Sequence, residues 1–260
     1  MNCKICHHVS TKIFNAKLLC KYDVAYYRCT HCGFLQTEQP YWLEEAYTNS
    51  ISLADTGILK RNLYSSKIAS ILIYFLFDKN ATFVDFAGGY GILTRLMRDI
   101  GFDFYWHDPY STNCIARGFE FNLGEKAEMV TAFEVFEHFT DPLVELDKML
   151  SISSNILFST VLLPALIPKP DQWSYYVLEY GQHVSFYTLQ TLNIMAKKHN
   201  LNLLSNGVNV HLFTRKSINP VLFKTLLKSH RLGAASFVSS RMTSLSVFDM
   251  ETLTKKMEHK

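Results

Sequence analysis

Short apolar runs alternate with amphipathic stretches along most of this chain of 260 residues. Apolar segments bounded by turn residues predict four strands, which are 82–86, 102–107, 129–133 and 155–160. Apolar positions three and four residues apart predict helices at 41–47, 59–77, 92–100, 142–150 and 188–199. Two further strands, 201–205 and 208–214, have the spacing of a hairpin. The alternation predicts an α/β fold with a mainly parallel sheet and an antiparallel last hairpin.

The turn after the first of these strands carries the strongest chemical signal. Asp85 stands near the strand end, and the run Ala87-Gly88-Gly89-Tyr90-Gly91 leads into the next helix. Because glycine has no Cβ, such a turn lets a ligand approach the backbone closely. The following strand ends in Asp108, 23 residues after Asp85, where an acid receives the ribose hydroxyls of a nucleoside in doubly wound folds. The pattern predicts a nucleoside-containing ligand.

This D-x-A-G-G-x-G pattern resembles motif I of the class I S-adenosylmethionine (SAM) methyltransferases, with Ala87 at the position of the first glycine. The resemblance implies a Rossmann-like sheet and SAM as the cofactor. The residues it implies for cofactor binding are Asp85, Ala87, Gly88, Gly89, Gly91, Asp108, Phe133 and Glu134. The alternative is an α/β protein that binds another nucleotide.

Four of the six cysteines form two C-x2-C pairs, Cys3 with Cys6 and Cys29 with Cys32. Two such loops can converge on one ion and complete a closed tetrahedral site, so the spacing predicts a structural zinc in a small ribbon. Disulfides fit a reducing compartment poorly. Three histidines lie close enough to substitute as ligands, which are His7, His8 and His31. The remaining cysteines, Cys20 and Cys114, are expected to be small core residues.

The cysteine module ends Cys32-Gly33-Phe34-Leu35-Gln36 and resembles the zinc-binding segment in front of some bacterial sugar methyltransferases. These include C-methyltransferases of nucleotide-linked keto-sugars, which carry a large additional C-terminal domain. The resemblance implies a sugar or nucleotide-sugar substrate. Because the additional domain has no counterpart in this sequence, we expect methylation at oxygen rather than at carbon.

Three side chains after the third strand are expected to lie beside the reactive methyl group. Glu134, Glu137 and His138 would share one face if a helix begins there. The segment resembles the E-x-x-E-H run of small-RNA 2′-O-methyltransferases and ubiquinone-pathway O-methyltransferases. That resemblance implies a magnesium, manganese or zinc ion held with a later histidine, here His183. The alternative, favoured by the sequence, is that the acids only brace the fold and His183 acts as a metal-free base.

A long aromatic connection from residue 161 to 182 has the character of a lid over a ligand. In the sugar C-methyltransferases the proposed base lies in a Tyr-x-Glu-His setting, which this chain matches as Tyr180-Gly181-Gln182-His183. The expected catalytic residues are His183, Glu137, His138 and Tyr180. The residues expected to contact substrate are Tyr47, Trp173 and Tyr176.

The chain divides into four predicted segments. They are a zinc-ribbon-like module (1–40), a helical linker or substrate cap (41–80), a SAM-binding domain (81–215) and a helical extension (216–260) that could serve oligomerisation. A net charge of +3 without a dense basic run disfavours nucleic acid. The absence of a spanning or signal-like apolar stretch predicts a cytoplasmic protein without a transmembrane segment.

The sequence therefore predicts an enzyme that O-methylates a sugar or nucleotide-linked glycan precursor, as in capsule or lipopolysaccharide-type biosynthesis. Three alternatives stay open. They are a metal-dependent RNA 2′-O-methyltransferase, a C-methyltransferase of a keto-sugar, and a non-catalytic module that binds SAM and zinc.

Overall fold

The structure is a computed structural model that describes residues 1–48 and 51–258. Its strands are β1 (Ser10–Leu18), β2 (Tyr22–Cys29), β3 (Leu35–Thr37), β4 (Thr82–Phe86), β5 (Asp103–His107), β6 (Met129–Ala132), β7 (Ile156–Ser159), β8 (Ser185–Phe186), β9 (Asn202–Ser205) and β10 (Val210–Thr214). Its α-helices are α1 (Leu43–Ala46), α2 (Ile58–Leu76), α3 (Ile92–Ile100), α4 (Pro142–Ile152), α5 (Leu189–Lys198), α6 (Pro220–Ser229), α7 (Ala234–Ser240) and α8 (Ser246–Glu258). Short 3-10 turns are formed by Phe136–His138, Pro170–Gln172, Ser174–Tyr176 and His230–Leu232.

Six of these strands form a sheet in the order β5-β4-β6-β7-β10-β9. Strand β4 runs parallel to both β5 and β6, and β10 pairs with β9 in the antiparallel sense. All four residues of β6 and of β7 are buried, which explains why these strands read as continuous apolar runs rather than as alternating patterns. The predicted mainly parallel sheet with an antiparallel last hairpin is confirmed.

Residues 53–132, 151–156 and 218–260 form one compact unit. Within it, the connection from β5 to β6 (108–128), all of it described, contains no helix; its isolated bridges join Glu120 to Trp106 of β5 and Leu123 to Glu125. The C-terminal helix α8 packs against this connection, because a Cβ on Gly118 would come within 2.4 Å of a methyl group of Leu253. The helical extension thus covers a part of the fold that has no crossover helix of its own.

A buried ion pair fastens α8 to α3 within the same unit. Nε and Nη2 of Arg98 donate to the two carboxylate oxygens of Asp249 at 2.9 and 2.6 Å, and both side chains are buried. Arg98 also donates to the carboxylate of Asp103 at 2.6 Å, and its guanidinium lies 3.9 Å from the centre of the Phe119 ring. Such a bidentate pair fixes position as well as charge.

Residues 1–52, 133–150 and 157–217 form the other unit, which contains an antiparallel sheet of order β1-β2-β3-β8. Strand β8 pairs with β3, placing Phe186 opposite Leu35. Between the two cysteine pairs the sequence also predicts short strands at 17–19 and 25–28; the structure has the longer β1 and β2 there, and β1 ends at Leu18. The segment boundaries predicted from sequence stay a prediction. Within residues 1–48 and 51–258, none of the helices combines the length and apolar character that a membrane span needs.

Candidate functional site

The glycine turn after β4 follows a backbone path that only small residues fit. Gly89 and Gly91 have φ angles of +55° and +82°, in the left-handed region that favours glycine. A Cβ on Gly88 would lie 2.7 Å from the Trp106 ring, and one on Gly91 would lie 2.7 Å from Oδ1 of Asn113. Ala87 adopts φ +55°, so the position where the resembling motif carries glycine is conformationally strained here.

The two acids predicted for this region occupy different environments. Asp85 is buried and accepts hydrogen bonds from the hydroxyls of Thr94 and Thr131, each at 3.2 Å. Burial raises the pKa of Asp85 to about 7. Asp108 is half-buried and accepts from the backbone N–H of Gly89 at 2.9 Å. The predicted glycine turn and Asp108 are therefore in direct contact.

Asp108 keeps acceptor capacity for a ligand. Besides Gly89, it accepts from the backbone N–H groups of Tyr110 at 2.7 Å and Ser111 at 3.0 Å. A carboxylate has about four lone-pair positions, so three N–H groups do not saturate it. The Trp106 indole donates to the carbonyl of Gly89 at 2.9 Å and fixes the turn beside it. This arrangement suits a carboxylate that binds vicinal hydroxyls.

A second group of chemistry-bearing side chains forms around the 3-10 turn after β6. Glu137, His138 and His183 each present a donor atom, and these atoms lie within 4.8 Å of one another. Glu137 is fully buried, and within the described residues neither of its carboxylate oxygens makes a well-formed hydrogen bond, although the nearby hydroxyls of Tyr175 and Thr160 act to lower its pKa. Burial, with the nearby Glu134 charge, raises the pKa of Glu137 to about 8. A buried carboxyl without a well-formed hydrogen bond points to a missing cation or donor.

Each imidazole of this group is oriented by a hydrogen-bond contact at its Nδ1 atom. Nδ1 of His183 lies 2.7 Å from the carbonyl oxygen of Tyr175. Because a carbonyl only accepts, Nδ1 carries the proton in the neutral ring and Nε2 offers its lone pair. Nδ1 of His138 lies 2.9 Å from the hydroxyl of Tyr47. Burial, followed by the neighbouring His183, holds the pKa of His138 well below its usual range, so its ring is neutral at pH 7.

Residues 60–206 match the profile of the family described as "Methyltransferase domain". The chain belongs to this family. It is accordingly a SAM-dependent methyltransferase with SAM as its cofactor. A search of curated proteins finds no match.

Solved structures with a similar fold include several methyltransferases. Magnesium protoporphyrin IX methyltransferase from Synechocystis PCC 6803, with bound S-adenosylhomocysteine, is 10% identical, with a TM-score of 0.44 over 66% of this chain and 92% of that one. An O-methyltransferase family protein from Burkholderia thailandensis is 13% identical, with a TM-score of 0.46 over 68% of each chain. A methyltransferase of calicheamicin biosynthesis is 14% identical, with a TM-score of 0.42 over 66% of this chain and 61% of that one.

Glu134 does not join Glu137 and His138 on a helical face, so that part of the sequence prediction is wrong. Glu134 adopts φ +58°, and the chain continues into a 3-10 turn rather than an α-helix. Ser159 explains the geometry, since its hydroxyl donates to the Glu134 carboxylate at 2.6 Å and accepts from the Glu134 N–H at 2.8 Å. Phe133, which was also predicted to bind the cofactor, directly follows β6 in this methyltransferase and is half-buried.

The predicted aromatic contacts with the substrate divide into two groups. Tyr176 is fully buried in the core beside Phe186, and its hydroxyl donates to the carbonyl of Pro168 at 3.0 Å, so it offers no surface for the predicted contact with substrate. Trp173 is half-buried with its ring centre 4.9 Å from that of Tyr176. Tyr47 belongs to the Glu137 group through its hydrogen bond to His138.

Tyr175 is one of the lid aromatic residues that the sequence expects around the acceptor, and in the structure it contacts the group formed by Glu137, His138 and His183. The Tyr175 hydroxyl accepts from the N–H of Val161 at 3.0 Å and contacts the hydroxyl of Thr160 at 3.2 Å. Its carbonyl holds His183. Tyr180 is half-buried, its backbone N–H donates to the carbonyl of Val177 at 3.1 Å, and its catalytic role stays a prediction. The aromatic character of the lid was the only sequence signal for Tyr175.

The four cysteines of the N-terminal module come together as predicted. Sγ of Cys3 lies 3.6 Å from Sγ of Cys32, and Sγ of Cys6 lies 3.4 Å from Sγ of Cys29. A zinc tetrahedron with bonds of ~2.3 Å separates its sulfurs by about 3.8 Å, whereas a disulfide would bring them to ~2.05 Å. The donor set and its spacing therefore fit a tetrahedral metal site.

The surroundings of the thiols fit the same interpretation. Backbone N–H groups of Ile5, His31 and Cys32 approach the sulfurs at 3.4 Å. The nearby histidines are not part of the donor group, and the rings of His8 and His31 stack on each other at 4.1 Å. Cys20 and Cys114 are exposed, which corrects their predicted place in the core.

Proposed function

We propose that this methyltransferase transfers the methyl group of SAM to a hydroxyl oxygen of a sugar or nucleotide-linked glycan precursor. The observation that carries the proposal is the group of Glu137, His138 and His183, in which only Glu137 is fully buried and which provides polar groups that can handle the acceptor proton. The aromatic lid residues Trp173 and Tyr175 add surfaces of the kind that stack on sugar rings. The resemblance of the cysteine module to that of sugar methyltransferases supports the same substrate class.

The reaction forms one O–CH3 bond and breaks one S–CH3 bond. The sulfonium becomes the neutral thioether of S-adenosylhomocysteine, and the acceptor loses its hydroxyl proton. A neutral hydroxyl is a weak nucleophile, so the site must favour its deprotonated form. Position supplies a further large part of the rate, because an in-line approach of oxygen, carbon and sulfur is required.

We further propose that Glu137, His138 and His183 hold a magnesium, manganese or zinc ion. One carboxylate oxygen and two imidazole nitrogens are a donor set for such ions, and the His138 imidazole is neutral, as a ligand must be. When bound, the cation would lower the pKa of an acceptor hydroxyl. A metal-free base at His183 is the weaker alternative, because it leaves both oxygens of Glu137 without a well-formed hydrogen bond.

The neighbours of the group orient its rings. The carbonyl of Tyr175 fixes the His183 ring and directs Nε2 away from its own hydrogen bond. The hydroxyl of Tyr47 does the same for His138. Tyr47 and Tyr175 are therefore positioning residues in this proposal.

Methyl transfer from radiolabelled SAM to a panel of nucleotide sugars and short RNAs tests the substrate class. Transfer to at least one nucleotide sugar and to no RNA is expected. Activity should vanish with EDTA and return with one of the three ions. His183→Ala should abolish activity, whereas His199→Ala serves as a matched control, since His199 also holds a backbone carbonyl, that of Met195, through Nδ1 at 2.8 Å.

The outcomes separate the parts of the proposal. Activity that survives chelation but falls about 10²–10⁴-fold in His183→Ala would replace the cation with a metal-free base and leave the substrate class intact. Methylation of RNA but not of sugars would reject the sugar proposal and leave the cation site intact. Unchanged activity in His183→Ala would remove this group from catalysis altogether.

For the N-terminal module we propose one structural zinc held by Cys3, Cys6, Cys29 and Cys32. The hydroxyls of Thr188 and Thr191 both donate to the carbonyl of Cys32, so the cysteine loop is fastened to the start of α5. Elemental analysis of protein purified without chelator should find at least one zinc per chain. Finding none, or a disulfide within the module, would reject the site. The six free thiols also favour our proposal of a cytoplasmic location.

A further inference from the structure

Two segments of the unit that contains α2 carry cations but no acidic residue. They are α2 itself and residues 218–248. Their cations are Lys60, Arg61, Lys67, Lys224, Lys228, Arg231 and Arg241. These seven charges exceed the formal net charge of +3, so the rest of the chain is net acidic. Arg61 pairs with Asp55. Within the described residues, the other six cations form no ion pair.

The two segments pack on each other. Helix α2 contacts α6, the 230–232 turn and α7. The ring of Tyr64 lies 5.4 Å from that of His230, and Phe75 stacks nearly parallel to Phe237 at 6.4 Å. We call the exposed surface of α2, α6, the 230–232 turn and α7 the basic helical face. It is a continuous set of packed elements rather than a dispersed set of surface charges.

Apolar side chains stand among these cations and are open to solvent. They are Leu59, Leu63, Phe75, Val221, Leu222, Leu232 and Phe237. Leu232 is 88% exposed and Val221 is 72% exposed, which no packing within the chain explains. The guanidinium of Arg241 lies 5.4 Å from the centre of the exposed Phe237 ring. Cations next to protruding apolar groups are the pattern of helices that lie in a membrane interface.

We propose that the basic helical face docks this methyltransferase on an anionic membrane surface. The cations complement lipid phosphates, and the exposed leucine, valine and phenylalanine side chains can enter the headgroup region. A second copy of the chain fits less well, because a two-fold contact would set the same cations against each other. A nucleic acid also fits less well, since aliphatic side chains such as Leu232 and Val221 offer no stacking surface.

Cosedimentation of the full chain with lipid vesicles tests the proposal. The protein should bind vesicles of phosphatidylcholine mixed with phosphatidylglycerol, and bind phosphatidylcholine alone weakly or not at all. The double variant Lys224→Gln/Lys228→Gln should lower the partition coefficient about 10- to 30-fold, because each basic residue near an anionic surface contributes about a factor of five. Leu232→Asn should weaken binding without changing the charge.

A matched control separates this face from net charge. Lys12→Gln/Lys17→Gln removes two exposed cations from β1 and should leave the partition coefficient unchanged. A SAM affinity equal to that of the wild type shows that a variant is folded. Equal losses in both double variants, or no binding to anionic vesicles, would overturn the proposal. The proposal would also be overturned if the protein formed a dimer that Leu232→Asn dissociates. It would likewise be overturned if a short oligonucleotide displaced the protein from the vesicles while Leu232→Asn left vesicle binding unchanged.

Discussion

Glu137→Gln gives the sharpest test of how the Glu137 group is built. In the metal-free protein this carboxyl is fully buried without a well-formed hydrogen bond within the described residues, and burial raises its pKa from 4.5 to about 8. The substitution keeps the shape of the side chain and removes the charge. We expect the variant to be more stable than the wild type at neutral pH and to lack activity, as is common where a site is built for binding.

The magnitude follows from proton linkage. Between pH 4.5 and 8 the folded state keeps a proton on Glu137 that the unfolded state has released, so the free energy of unfolding falls as pH rises. Each pH unit in this window costs about 1.4 kcal/mol, which gives about 3 kcal/mol at pH 7 and about 5 kcal/mol above pH 8. Below pH 4.5 both states are protonated and the two proteins should be equally stable.

Urea unfolding in EDTA, from pH 4 to pH 9, measures this difference. Glu44→Gln, an exposed carboxylate on α1, is the matched control and should change stability by less than about 0.5 kcal/mol. Adding the activating ion at 100 times its dissociation constant should stabilise the wild type by about 2.7 kcal/mol and leave Glu137→Gln unchanged. A Glu137→Gln variant less stable than the wild type at pH 7 would refute the reasoning, because it would mean that the carboxylate has stabilising partners.

Three further predictions concern the rest of the fold. Ala87→Gly should raise the free energy of unfolding by about 1 kcal/mol in thermal denaturation and preserve SAM affinity, because φ +55° strains alanine; a loss of stability would contradict this. Asp249→Ala should lower the free energy of unfolding by up to about 3–5 kcal/mol, because it leaves the buried Arg98 with only the partly exposed Asp103 as its ion-pair partner; the exposed Glu251→Ala should be near neutral, and equal effects would mean that the Arg98–Asp249 pair does not stabilise the fold. Thiol titration should find two fast cysteines, Cys20 and Cys114, with the other four reacting only after zinc is chelated; six equally fast thiols would reject the zinc.

Local signals predicted the central elements of the fold closely. Strand β4 and helix α3 occupy the residues expected from the apolar run and the glycine turn between them. Helix α5 begins after Thr188, whose side chain accepts from the N–H of Thr191 while Thr191 reciprocates. Such caps depend only on residues that are close together in the chain, so they can be predicted from the sequence.

The features that the sequence did not predict depend on contacts between residues that are distant in the chain. Strand β8 has two residues and exists because it pairs with β3, about 150 positions earlier. Ser159 on β7 stabilises the left-handed turn at Glu134. No pattern in the residues around Glu134 predicts this contact. The packing of α8 depends on the ion pair between Asp249 and the distant Arg98, so the sequence alone predicts only that the extension packs on the fold or serves oligomerisation. Predicting such features requires the fold first.

A crystal structure with S-adenosylhomocysteine tests the central claim most directly, because it measures where His183 stands relative to the departing sulfur. The account predicts the ribose hydroxyls on Asp108 and a gap between the sulfur and Nε2 of His183 that one acceptor hydroxyl can fill. A His183 ring far from the sulfur, facing the core or solvent, would contradict both the cation and the base at this site.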